Sequence, residues 1–185
     1  MSQTRSDNPI FLASGNPEAE DELTLAQPGM LGHYFTVRQP FRGTRGVEEV
    51  RDKSYQLIQT DSSMAVAPYK GALAWWSNQQ NFLVTTDPTV LGRNRIAGVF
   101  QNAITAGRYG CIQKAGPATV KFIDAVTQAP SDDGHQVIPS ATAGKADAIA
   151  AGTATGWTVI GKTVSTLVGG LSEAVVELEI HDSNI

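Results

Sequence analysis

Between Ile96 and Phe122 the chain sets strand-forming residues between glycines, and this stretch most restricts what it can fold into. Ile96-Ala97-Gly98-Val99-Phe100 is followed by Gln101 to Ala106. Then come Gly107-Arg108-Tyr109-Gly110-Cys111-Ile112-Gln113-Lys114, a turn signal at Ala115-Gly116-Pro117, and Ala118-Thr119-Val120-Lys121-Phe122. β-Branched and aromatic residues favour a pleated backbone, whereas Gly and Pro mark tight turns. Strands and turns are the content of this segment, which displays no set of catalytic residues.

The same grammar continues on both sides. Tyr55, Leu57 and Gln59 share one face of an extended run, and Gln56, Ile58 and Thr60 the other. Short runs follow at Met64 to Ala67, Gly71 to Trp76 and Asn81 to Thr86, with Pro68 and Asp87-Pro88 closing two of them. Gln136 to Ile138 stops at Pro139, and Ala141 to Ala151 reads as a single helical turn or a loop between Gly144 and Gly152. At the end, Val176, Leu178 and Ile180 alternate with Glu177 and Glu179, the two-residue period of a strand with one buried face. Trp157 to Val168, Gly169-Gly170 and Glu173 to Ile180 together predict a hairpin. Short strands at roughly ten-residue spacing predict a mainly β fold, a small antiparallel β-barrel or sandwich.

Residues 1 to 53 differ in character. Pro, Gly, Asn and Gln dominate, with acidic Glu18, Glu20, Asp21 and Glu22 ahead of basic Arg38, Arg42, Arg45 and Arg51. Separate apolar anchors recur at Ile10-Phe11-Leu12, Leu23, Leu25, Met30-Leu31 and Tyr34-Phe35. The expectation is an extended arm or loop over residues 1–53, with one short helix from Val47 to Lys53, and a β-rich domain over residues 54–185. Such an arm is ordered by a partner or by wrapping its own domain. Phe11, Leu12, Tyr34 and Phe35 are its candidate anchors, and Arg42 and Arg45 its candidate cationic contacts.

Composition narrows the function. Charged residues make up 17% of the 185-residue chain, below the ~25% of an ordinary soluble domain, so neighbours are expected to cover parts of the surface. A net charge of −4 argues against nucleic acid as partner. No apolar run reaches the length of a membrane span or signal sequence, so no membrane partner is expected. Cys111 is the only cysteine, which excludes an intrachain disulfide and a thiolate zinc site and fits a small buried apolar residue in a strand.

Each chemical motif has a plainer reading. Gly156-Trp157-Thr158-Val159-Ile160-Gly161-Lys162-Thr163 matches the P-loop pattern. Its Trp-Thr-Val-Ile interior prefers extended backbone, though, and β-branched residues stand where the helix should begin. His33, His135 and His181 lie far apart, and Asp132-Asp133-Gly134 lacks the terminal carboxylate of a calcium loop. No Gly-x-Ser-x-Gly elbow occurs, and the carboxylate pairs Glu48-Glu49 and Glu177/Glu179 belong to a charged arm and a solvent face. No catalytic, cofactor or metal residue is therefore assigned. Arg93, Arg95, Arg108, Lys114 and Lys121 form either a solvated face or a rim for an acidic protein surface. Tyr69, Trp75 and Trp76 serve core packing or, in Trp75 and Trp76, an interface anchor.

Gly92 to Phe100, Gly107 to Gln113 and the strands between Gly156 and Ile180 resemble the capsid decoration, or cement, proteins of tailed bacteriophages. Those families pair an Ala-Gly-Val phrase and a following Thr-x-Gly-x-Tyr with a Gly-rich strand pair near the C-terminus. The counterparts here are Ala97-Gly98-Val99 and Thr105-Ala106-Gly107-Arg108-Tyr109, within a likeness covering about half the chain. The resemblance implies a β-barrel or β-tulip domain, dimeric or trimeric, on the exterior of the virion. There it would brace contacts between major capsid protein subunits after synthesis in the bacterial cytoplasm. Two further readings compete: a tail, head–tail joining or baseplate component, and a carbohydrate-binding module that stacks sugars on Trp75 and Trp76.

Overall fold

The computed structural model describes residues 31–42, 48–88, 95–130, 134–153, 156, 158–167 and 172–181. Within them the chain is mainly β, with ten strands: β1 (Tyr34–Arg42), β2 (Glu48–Thr60), β3 (Leu73–Asn78), β4 (Leu83–Thr85), β5 (Ile96–Phe100), β6 (Tyr109–Lys121), β7 (Gln136–Pro139), β8 (Ala146–Ile149), β9 (Gly161–Thr163) and β10 (Glu173–Glu179). They hydrogen-bond in the order β1-β2-β4-β3-β5-β6-β10-β9-β7-β8, and β2 also pairs with β6. That last ladder closes β2, β4, β3, β5 and β6 into a five-stranded ring. All ladders are antiparallel except β2–β4, which is parallel, a departure from the antiparallel expectation.

A second closure follows beyond β6. Phe122, just past its end, bridges Ala146 of β8. Ile123 N donates to Ala146 O at 3.0 Å and Gln128 N to Ala148 O at 2.8 Å. Residues 122–128 thus cover the outer edge of β8, and β6-β10-β9-β7-β8 forms a second ring sharing β6 with the first. Closing a sheet leaves fewer unsatisfied edge groups, the reason small β domains adopt barrels.

Each ring has its own core. Ile58, Ala74, Trp76, Val84, Ala97 and Ile112, one or more from each strand of the first ring, pack together inside it. The second cluster holds Ala118, Val120 and Phe122, Val137, Ala146, Ala148, Val176 and Leu178, and it also takes Leu73, Trp75, Ile96 and Val99 from the opposite face of β3 and β5. Period-two alternation along β3 therefore sends Trp76 into one core and Trp75 into the other. β3 and β5 form a wall between the two.

Strand β6 changes direction to serve both rings. Its pairing with β2 slips between Ser54 and Tyr55, leaving Lys114 as an extra residue. Gly116 follows at φ +84°, where an added Cβ would collide with the carbonyl oxygen of Asp52.

Several expectations are corrected by these strands. Residues 48–53, expected as a short helix, are the first half of β2, held by the β1 ladder from Arg42↔Glu48 to Tyr34↔Gln56. Residues 34–42 are likewise strand, so that part of the expected arm is a β1–β2 hairpin whose far end extends beyond the β2–β6 ladder. The Ala141 to Ala151 segment contains β8 instead of a helical turn, and residues 64–67 lie outside the strands. Asn81 to Thr86 narrows to the three residues of β4. Arms upstream of residue 31 lie outside the described residues.

Candidate partner interface

The sequence-derived contact residues fall into three groups. Phe11, Leu12 and Arg45 lie outside the described residues, and Arg42 ends β1. Trp75 and Trp76 are 1% and 3% exposed. Both indoles are therefore core, and neither ring face is available as a sugar platform, which corrects that role. Tyr34 and Phe35 share β1 but point to opposite faces. Phe35 is half-buried and stacks on Tyr55 at 5.6 Å between ring centroids, whereas Tyr34 is 55% exposed.

Lys114 joins Tyr34 to Trp76. Its ammonium stands 5.8 Å from the Tyr34 ring centroid and 5.5 Å from that of Trp76, within the range of a cation–π contact. The residue is only 3% exposed, so it belongs to no solvated basic rim. Its position follows from the bulge on β6, which turns the side chain toward the open end of the first ring. Sequence alternation gives no sign of this, because a bulge is written in no single residue type. Phe82 completes this end of the ring: it packs edge-on against Trp76 at 6.4 Å, and its ring occupies the space a side chain at position 32 would need. Gly32 is at φ +83°, and its carbonyl accepts a 3.4 Å bond from Gln56 Nε2. The outcome is an aromatic side chain that is open to solvent yet braced from beneath.

Lys121 of the expected rim and Arg51 of the expected arm are ion-paired, and Arg93 lies outside the described residues. Lys121 Nζ lies 2.6 Å from Glu173 Oε2 across the β6–β10 ladder, and Arg51 reaches Glu177 at 3.5 Å. On the outer face of the hairpin, Arg38 Nε donates to Asp52 Oδ1 at 3.1 Å, with both side chains more than half exposed.

The described part of the nucleotide-like motif spends its amides on a strand ladder. Gly161–Thr163 is β9, the amide of Ile160 donates to Val137 O, and that of Thr163 donates to His135 O, each at 2.9 Å. These N–H groups serve the β7 ladder and cannot converge on an anion. His135 Nδ1 lies 2.9 Å from Ala129 O. Cys111, expected as buried, is half-buried in β6 opposite Leu57. Among the described residues no three His, Cys, Asp or Glu side chains gather as a metal site, and no helix is long and apolar enough to cross a membrane.

Tyr69 is the other engaged aromatic. Its hydroxyl donates to Ala143 O at 3.4 Å, and burial raises its pKa above the ordinary phenol value. Asp61 accepts 2.7 Å bonds from the hydroxyls of Ser77 and Ser63 and a 2.9 Å bond from Ser63 N. Those donors, Ser77 first, lower its pKa and pin the turn after β2 to β3. Neither a family model nor a curated protein matches this chain.

Proposed function

We propose that the chain is a non-enzymatic structural protein of a tailed-phage particle, bound to the outside of the capsid and bridging major capsid protein subunits. The observation that carries this reading is Tyr34: half exposed at the base of the β1–β2 hairpin, yet held over the buried Lys114 ammonium. A braced aromatic loses little conformational freedom on contact, so more of its burial free energy remains for binding. Two rings fused through β6 give that anchor a stiff base.

The resemblance in β5 and at the entry to β6 supports the same reading. Ala97-Gly98-Val99 lies within β5, and Gly107 turns at φ +81° ahead of Tyr109. In such a role, each interface of ordinary size adds to the free energy needed to separate shell subunits pushed outward by packed DNA. The test is co-sedimentation with expanded heads of the source phage. Wild-type protein should saturate the heads, and Tyr34→Ala protein, folded by circular dichroism, should bind at least tenfold more weakly. Equal occupancy by the two proteins would remove Tyr34 as the anchor, and no wild-type occupancy would remove the capsid role.

A further inference from the structure

We propose that the far end of the first ring carries a second contact surface, residues 64–67 with Lys70 and Arg108 beside them, and that it binds an apolar patch rimmed by carboxylates on a neighbouring capsid subunit. The inference rests on the capsid reading and deepens it, because a bridge needs two contacts and Tyr34 supplies only one.

The place of this surface follows from the strand order. Residues 61–72 leave β2 and enter β3, residues 101–108 leave β5 and enter β6, and both segments belong to the same end of the ring. Hydrogen bonds tie them together: Thr60 Oγ1 donates to Thr105 O at 2.9 Å, Ile104 N to Pro68 O at 3.4 Å and Gly71 N to Phe100 O at 2.7 Å. Ile104, 4% exposed, packs into the first core beneath them. Tyr34 stands level with Gln56, and Arg108 with Thr60, about 13 Å farther along β2. The two surfaces are therefore separate.

Residues 64–67, Met-Ala-Val-Ala, are apolar throughout, yet Ala65, Val66 and Ala67 are exposed and Met64 is half-exposed. Val66 is one of three large apolar side chains open to solvent among the described residues. A run of successive apolar residues in water, with no core to fill, is the mark of a contact surface. The run is also held in place. Asp61 pins Ser63 ahead of it, Thr86 Oγ1 donates to Val66 O, and buried Pro68 follows, bonded to Ile104. An apolar run fixed before contact gives up little conformational freedom on binding.

Charge names the partner. Arg108 adjoins Gly107, where an added Cβ would meet that of Ser62 at 3.3 Å, so this cation stands at the start of the run. Lys70 comes two residues after Pro68, at its end. Both cations are exposed, and among the described residues no carboxylate pairs with either. Asp61, the acid nearest the run in sequence, spends its oxygens on Ser63 and Ser77. Two cations flanking an apolar strip complement a strip flanked by Asp or Glu.

Co-sedimentation with expanded heads and carbodiimide coupling test this together. Val66→Asp protein, and protein carrying Lys70→Glu with Arg108→Glu, each folded by circular dichroism, should bind about tenfold more weakly than wild type. Combined with Tyr34→Ala, the losses should multiply. On loaded heads, carbodiimide should form an amide between Lys70 Nζ and a carboxylate of the major capsid protein, read by mass spectrometry. Heads that take up wild type and both variants equally would overturn this surface and leave the capsid reading standing, whereas no wild-type uptake would remove both. A Lys70 product confined to residues 18–22 of its own chain or to a second copy, or no Lys70 product at all, would equally overturn it.

Discussion

Gln113 holds the bend of β6 open from within: its Nε2 donates to the carbonyl of Pro117 at 3.1 Å and to that of Ala115 at 3.0 Å. The residue is 0% exposed, and the two carbonyls it satisfies flank Gly116, where the strand passes from the first ring to the second. Ladder partners are lost at such a bend, so a side chain must supply the donors. Gln113→Glu keeps the shape but replaces two donors with an acceptor. We expect a loss of about 3 kcal/mol or more in urea unfolding. An unchanged midpoint would mean that the junction between rings does not depend on this side chain.

Gly116 supplies the backbone half of the same junction. Gly116→Ala meets both a left-handed φ and the Asp52 carbonyl, and should destabilise by about 3 kcal/mol. Gly152 has a similar φ of +78° with nothing near its would-be Cβ, so Gly152→Ala should cost about 1 kcal/mol. The difference between the two midpoints measures the contact with β2. Equal effects would remove that contact from the account.

The two tryptophans distinguish core from platform. Trp76→Ala should cost about 3–5 kcal/mol, and Trp75→Ala a similar amount, each emptying a different ring. Differential scanning calorimetry reads this directly. A stable Trp76→Ala protein that has lost only glycan affinity would contradict the burial of Trp76 and restore the carbohydrate reading.

Much of the fold was legible in residue patterns, and the failures have physical causes. Val176, Leu178 and Ile180 alternate with glutamates, and the structure buries all three, two in β10 and Ile180 just past its end; one face in contact with a core leaves a period in the sequence. Residues 48–53, Glu-Glu-Val-Arg-Asp-Lys, carry good helix formers yet form strand, because pairing with β1 outweighs local preference. Ala148, Ala150 and Ala151 are good helix formers too, although the alternation of Ala146 and Ala148 with Asp147 matches the buried face of β8. The parallel β2–β4 pairing and the ring closure through β2–β6 join residues far apart in sequence, and no local pattern encodes them. Tyr34 stands out in the sequence by its place among the apolar anchors, and the structure leaves its ring exposed. Lys114 reads as a rim cation in the sequence because its burial depends on a bulge, and for Trp75 and Trp76 size alone does not separate core from contact; burial decides for the core.

Asp61 makes stability depend on acid. Its folded pKa is lowered by the Ser77 and Ser63 donors, so its contribution is complete above the ordinary carboxylate value and is lost as pH falls through the lowered folded value. Thermal melts of wild type and Asp61→Asn should differ at pH 7 and converge as the pH drops below the usual carboxylate range. A gap that persists in strong acid would show that the turn is held by something other than the charge.

The central claim, a protein that works by contact on the outside of a shell, is tested most directly by an electron cryomicroscopy reconstruction of the particle that carries it. The account predicts fused two-ring density outside the capsid, over junctions between major capsid protein subunits, with the β1–β2 hairpin inside a contact. Density confined to the tail or the head–tail joint, or a shell on which the protein is missing, would contradict it.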